Sequence, residues 1–160
     1  AFSLSQDIHV TVAEAKDYME RYFATYPGVR QYMTDVVERA REQGFVETLY
    51  HRRRTLPELK SANFVQRSFG ERVALNMPIQ GTAADVMKLA MLRVHDRIRR
   101  EGLQARLIMQ VHDELIVECP EREQQAVETL LRQEMEQVAA LAVPLTAEAH
   151  SGKNWREAKG

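Results

Sequence analysis

Arg106-Leu107-Ile108-Met109-Gln110-Val111-His112-Asp113-Glu114-Leu115-Ile116-Val117 is the stretch that decides the fold class. Residues 106–111 predict a strand and residues 115–117 its return, because each is a short apolar run rich in branched side chains. The tight turn between them falls at His112-Asp113 or at Asp113-Glu114. A β-hairpin set in a chain otherwise patterned for helices makes an α+β fold that is mostly helical.

Working upstream, residues 63–102 carry Phe64, Val65, Phe69, Val73 and Leu75, then Ala83, Met87, Met91, Val94 and Ile98 at helical spacing, and stop at Gly102. Pro78 lies between the two sets. It lacks an amide donor and crowds the carbonyl of Ala74, so a kink or a break is expected there. Nearer the start, Thr11 and Glu14 have the spacing of a capping box, which opens a helix through Ala15, Tyr18, Met19, Tyr22 and Phe23. Pro27-Gly28 punctuates it. Val29, Tyr32, Met33, Val36, Val37 and Ala40 form a second helical face that Gly44 ends, so a helical hairpin is expected. Residues 45–50 are β-prone, and His51-Arg52-Arg53-Arg54 reads as a loop.

Downstream of the β-hairpin, Pro120 precedes a last helix carrying Val127, Leu131, Met135, Val138 and Ala142. Residues 143–149 suggest a final strand, and residues 151–154 a polar tail.

Composition bounds the function. The chain has 160 residues, 44% hydrophobic and 28% charged, which is the balance of one soluble globular domain. Cys119 is the only cysteine, so a disulfide framework and a cysteine-rich zinc site are excluded. No apolar run reaches the ~20 residues of a bilayer span, and no membrane partner is expected. The expectation is a cytoplasmic, reduced, soluble protein. The chain opens at Ala1 and not at methionine, as a processed protein or a piece of a longer one would.

Charge is balanced overall and uneven locally. Residues 52–72 hold six basic side chains against two acids, and residues 113–136 hold eight acids against two arginines. That distribution suits a phosphate backbone at one end and cations at the other, or simply solvated helix faces.

Two constellations can carry chemistry. Arg72, Asn76 and Gln80 stand at i, i+4 and i+8, so on a regular helix they project from one face. The minor groove offers acceptors at nearly the same places for every base pair, and a row of donors can grip a duplex there without reading its sequence. A plain solvent face is the alternative. His112, Asp113 and Glu114 place three ionisable groups between two apolar strands. A carboxylate at a hairpin turn can reach magnesium, which binds through one or two carboxylates plus substrate phosphates. It can equally satisfy backbone groups of its own turn. In extended chain Asp113 and Glu114 point to opposite faces, so they need not share an ion. There is no HExxH, no glycine-rich nucleotide loop and no recognisable nucleophile.

Further residues carry a resemblance to a known family. Arg67-Ser68-Phe69-Gly70-Glu71-Arg72, then Asn76-Met77-Pro78-Ile79-Gln80-Gly81-Thr82-Ala83-Ala84-Asp85, then Gln110-Val111-His112-Asp113-Glu114 resemble the family A DNA polymerases of bacteria. Tyr26-Pro27-Gly28-Val29, Glu47-Thr48-Leu49, Arg52-Arg53-Arg54, Leu56-Pro57 and Asn154-Trp155 match in the same order, so the resemblance covers essentially the whole chain. His51 stands where many members have glycine, which bears on the hairpin geometry there.

The resemblance implies a DNA-directed DNA polymerase that carries out template-directed nucleotidyl transfer by a two-metal mechanism in replication or repair. Primer–template DNA and deoxynucleoside triphosphates are its implied partners, and magnesium its implied cofactor. It implies that Asp113 is one of two metal-binding aspartates, that Glu114 is an auxiliary acid also near the metal, and that His112 lies by the primer terminus. Arg72, Asn76 and Gln80 match minor-groove contacts, and Arg67, Arg52, Arg53 and Arg54 match basic positions near the DNA. Residues 1–50 would belong to the fingers and residues 51–160 to the C-terminal part of the palm.

The family's first motif, with the other aspartate, and its second, with the cations that hold the triphosphate, have no counterpart here. The expectation is therefore an incomplete polymerase domain whose isolated chain does not polymerise, and whose uncovered strand edges and helix faces favour self-association. A non-catalytic duplex-binding module is the competing reading, and a small metal-dependent phosphodiesterase a third.

Overall fold

The computed structural model describes residues 1–159. They fall into two compact units that divide between Ile79 and Gln80.

The first unit opens with helices α1 (Phe2–Asp7), α2 (Val12–Thr25) and α3 (Pro27–Gln43). Thr11 and Glu14 form the expected capping box. The Thr11 hydroxyl accepts from the Glu14 amide at 3.3 Å, and the Glu14 carboxylate accepts from the Thr11 amide at 2.9 Å. The Thr11 hydroxyl also donates to the Glu14 carboxylate at 2.7 Å, and that bond first, then the one from the Thr11 amide, holds Glu14 below its ordinary range. A single residue, Tyr26, separates α2 from α3, and Pro27 takes the first helical position of α3, where its missing amide costs nothing. Gly44 ends α3 with φ +83°, the left-handed cap predicted for it.

Strands β1 (Phe45–Glu47) and β2 (Arg53–Thr55) then pair antiparallel, with Val46 opposite Arg54 and Glu47 opposite Arg53. Residues 53 and 54 are thus strand and not loop, a correction to the reading of 51–54 as one loop. Cross-strand hydrogen bonds decide it, and local composition does not report them. The turn is organised from inside by Thr48. Its buried hydroxyl accepts from the amides of Tyr50 and Arg52, each at 3.2 Å. His51 occupies this turn at φ +62°, a left-handed conformation that suits glycine.

A short 3-10 helix, Pro57–Lys60, leads to the long helix α4 (Phe64–Arg100). Asn63 caps it, its carboxamide oxygen accepting from the amides of Val65 at 2.9 Å and Gln66 at 3.3 Å. The core of this unit is Val36, Ala40, Val46, Leu56, Leu59 and Ala74. Gly70 lets α4 lie directly on the 3-10 helix, since a Cβ there would stand 3.1 Å from the Leu59 amide nitrogen and from Glu58 Cβ.

Of the kink or break expected at Pro78, the break does not occur, for α4 is one helix of 37 residues with Pro78 inside it. A proline removes a single rung of the hydrogen-bond ladder. The turns before it are held by Val73, Ala74 and Met77 in the first core, and Val94 and Ile98 hold later turns in the second.

The second unit contains the remainder of α4, strands β3 (Arg106–Val111) and β4 (Glu114–Glu118), a 3-10 turn Glu121–Glu123, and helices α5 (Gln124–Glu136) and α6 (Trp155–Lys159). Its core is Val94, Ile98, Ala105, Val127 and Leu130, with Leu115 and Val117 of β4 packed against it. Arg97 links α4 to α5, donating to Gln133 at 2.8 Å and pairing with Glu134 at 3.1 Å and Glu101 at 2.7 Å.

Two expectations fail in this unit. The last long helix stops at Glu136 and does not reach Val138 or Ala142. Arg93 donates to the carbonyl of Gln137 at 2.5 Å, so a guanidinium satisfies an end carbonyl that a further turn would have taken. Residues 143–149 form no strand among the described residues, because no neighbouring strand pairs with them and Pro144 has no amide to donate. Residues 151–154 form the expected exposed polar stretch, and α6, which the sequence reading did not foresee, follows it. Asn154 caps that helix by accepting from the Glu157 amide at 3.1 Å, while its own amide group donates to the Glu157 carboxylate at 2.8 Å.

Candidate nucleic-acid and metal site

The β3–β4 ladder pairs Val111 with Glu114, which leaves His112-Asp113 as the two-residue turn. His112 takes φ +51°, the positive value that a tight two-residue hairpin turn asks of its first residue. Its carbonyl accepts from the Gln110 side chain at 2.6 Å, which closes the turn. The next residue, Asp113, is exposed at the apex, and its carboxylate makes no hydrogen bond or ion pair among the described residues. Capping the turn's own backbone, the ordinary use of such an aspartate, is therefore not its role.

Glu114 is differently placed. It begins β4, and both its carboxylate oxygens meet the Lys159 ammonium of α6, at 3.1 and 3.3 Å. Lys159 also lies 5.7 Å from the centre of the Trp155 ring. The structure thus separates two neighbouring acids, one unengaged at the apex and one neutralised by a lysine. Lys159 was invisible to motif reading, because it lies far along the chain and only the Asn154–Glu157 cap hints at a helix that could carry it.

Magnesium would find one uncommitted carboxylate here, on Asp113. Among the described residues no cluster of three or more acidic, histidine or cysteine side chains is arranged to hold a metal. These residues fit one ligand position of a two-ion centre and do not build the centre.

The candidate DNA contacts divide. Arg72 and Asn76 are exposed on α4 in the first unit, and Gln80, also exposed on α4, opens the second. Arg67 is half-buried. It donates to the carbonyls of Ser61 at 3.0 Å and Ala62 at 3.5 Å and lies 5.8 Å from the Phe64 ring centre, which fixes the segment entering α4. Arg53 is engaged within its hairpin, with Nε 3.1 Å from Glu47 Oε2 and the guanidinium 4.4 Å from the Phe45 ring centre. Arg52 and Arg54 are both exposed.

Comparison with known proteins bears on all of this. The sequence profile of DNA polymerase family A matches residues 1–157. The DNA polymerase I of Geobacillus stearothermophilus is 50% identical over 158 residues, which is 99% of this chain and 18% of that protein. That of Bacillus subtilis strain 168 is 47% identical over the same shares. A solved structure of the POL domain of Pol1 from M. smegmatis, in complex with DNA primer-template and dNTP, superposes with a TM-score of 0.93 at 45% identity. It covers 98% of this chain and 28% of that one. The chain therefore spans about a fifth of the length of these curated relatives. A profile match along nearly its full length, relatives at about half identity and a superposable fold make the chain a member of DNA polymerase family A.

Proposed function

We propose that this chain is part of a DNA-directed DNA polymerase, contributing one metal-binding aspartate and a duplex-gripping helix to template-directed nucleotidyl transfer. The observation that carries the reading is Asp113, an unengaged carboxylate at the apex of a two-residue hairpin turn in a chain of this family. Residues 1–50 are assigned to the fingers and residues 51–160 to the palm. In such an enzyme two bound magnesium ions activate the primer hydroxyl and stabilise the departing pyrophosphate. This chain's share is to present Asp113, to keep His112 beside it, and to hold Glu114 through Lys159. The primer–template and dNTP bound to the M. smegmatis relative support DNA and nucleotide as the partners.

The carboxylate count has a consequence. Two ions about 3.5–4 Å apart need ligands on both sides, whereas the β3–β4 turn presents Asp113 alone and no cluster of three or more metal-ligating side chains occurs among the described residues. The chain by itself is expected to show no magnesium-dependent extension of a primed template. Template-directed extension by pure chain would overturn the division of the site proposed here.

Duplex binding tests the other half. Arg72, Asn76 and Gln80 are all exposed donors at helical spacing on one helix. A net hydrogen bond contributes about 0.5–1.5 kcal/mol, so losing all three is expected to weaken duplex binding at least about tenfold. The check is fluorescence anisotropy with primer–template duplex across a salt series, comparing the chain with an Arg72→Ala/Asn76→Ala/Gln80→Ala variant. Binding indifferent to the triple change would remove this helix face from the DNA site.

A further inference from the structure

Glu47 and Arg53 face each other across the last rung of the β1–β2 ladder. The Arg53 side chain is 64% exposed and Glu47 beneath it 35% exposed, with Nε 3.1 Å from Oε2. The Phe45 ring, two residues before Glu47 and on the same face, carries the guanidinium at 4.4 Å. On its other oxygen Glu47 meets His51 Nδ1 at 3.4 Å. Arg53, then His51, hold the Glu47 carboxyl below the usual carboxylate range, so it stays anionic. Arg54 lies opposite Val46, on the other face of the strand pair. Arg53 is thus already paired with a fixed anion, while its side chain stays largely open to solvent.

We infer that Glu47 is an internal competitor of nucleic-acid phosphate for Arg53, holding the Nε side of the guanidinium so that this arginine meets a DNA backbone only by exchanging one ion pair for another. The inference rests on the proposed DNA-binding function. A phosphate favours two-pronged contact with a guanidinium, and a carboxylate offers the same geometry. An exposed carboxylate pair of this kind is weak and exchangeable, so Glu47 sets how readily the hairpin grips and does not forbid it. Arg54, on the other face of the strand pair, is outside that exchange.

The test is duplex anisotropy between about 50 and 200 mM salt on the chain and its Glu47→Gln, Arg53→Gln, Glu47→Gln/Arg53→Gln and Glu47→Asp variants, each checked for unchanged circular dichroism. One added phosphate contact steepens the log–log salt slope by about 0.9, which is about a threefold larger loss across that range. Glu47→Gln is expected to bind severalfold more tightly at the low-salt end with that steeper slope, and Glu47→Asp to behave as the unaltered chain. Arg53→Gln alone is expected to change little, and the double variant to match it. Equal tightening with and without Arg53 would show a general charge effect and overturn the inference. So would a large loss in Arg53→Gln alone, an unchanged Glu47→Gln, or no binding by any of the five proteins. The coupling of residues 47 and 53 is read independently of Arg72, Asn76 and Gln80, so a failure on that helix face is separable from a failure here.

Discussion

Asp113→Ala in the complete polymerase lowers primer extension by about 10³-fold or more while duplex affinity stays within about twofold. A metal ligand supplies several kcal/mol of transition-state stabilisation, and each ~1.4 kcal/mol is a factor of ten in rate. The structure argues that the loss would be chemical and not structural. Asp113 is exposed, lies in a turn already closed by Gln110 on the His112 carbonyl, and engages no other side chain. The thermal midpoint of the variant should therefore match that of the parent. Glu114→Ala should cost less rate, because its carboxylate is already spoken for by Lys159. Single-turnover extension with saturating DNA, beside anisotropy on the same samples, separates the two effects. Retained activity in Asp113→Ala, or a parallel loss of duplex binding, would take the aspartate out of the metal site.

What the sequence disclosed and what it hid follow one physical division. Local chemistry was legible. Thr11 and Glu14 cap each other because they are three residues apart, Gly44 adopts the left-handed conformation only a few residues accept, and a pair of apolar runs enclosing His112-Asp113-Glu114 closes as a hairpin. Long-range partners were not. β2 exists because β1 pairs with it, residues 143–149 fail to become a strand because nothing described pairs with them, and α5 stops where Arg93 meets its end. Pro78 shows the same rule in reverse, a local breaker overridden by packing on either side. For the candidate site, the turn position of Asp113 and the exposed places of Arg72, Asn76 and Gln80 on α4 were readable from pattern, while the roles proposed for them came from the family resemblance. The engagements of Arg53 by Glu47, of Arg67 by the Ser61 carbonyl and of Glu114 by Lys159 were not readable, since each needs the folded partner. A strand register would have signalled the first, as Glu47 and Arg53 flank a five-residue turn symmetrically.

Leu130→Ala is expected to cost about 2–5 kcal/mol of folding free energy, the range for emptying a buried leucine site that relaxes only partly. Leu130 is fully buried on α5 and shares its core with Val94, Ile98, Ala105 and Val127. Leu141, 38% exposed and outside both cores, is the control, and its alanine variant should shift stability by no more than about 0.5 kcal/mol. Urea titration followed by circular dichroism reads both. The effect on function should be indirect. Leu115 and Val117 of β4 pack on the same core as Leu130, so the cavity loosens the strand that carries the His112-Asp113 turn. Activity of the complete enzyme bearing Leu130→Ala should then be near normal at low temperature and fall at a lower temperature than the parent's, whereas Asp113→Ala should be inactive throughout. A Leu130→Ala variant as stable as the parent would mean that this core does not hold the hairpin. The placement of Asp113 would then need another source of order.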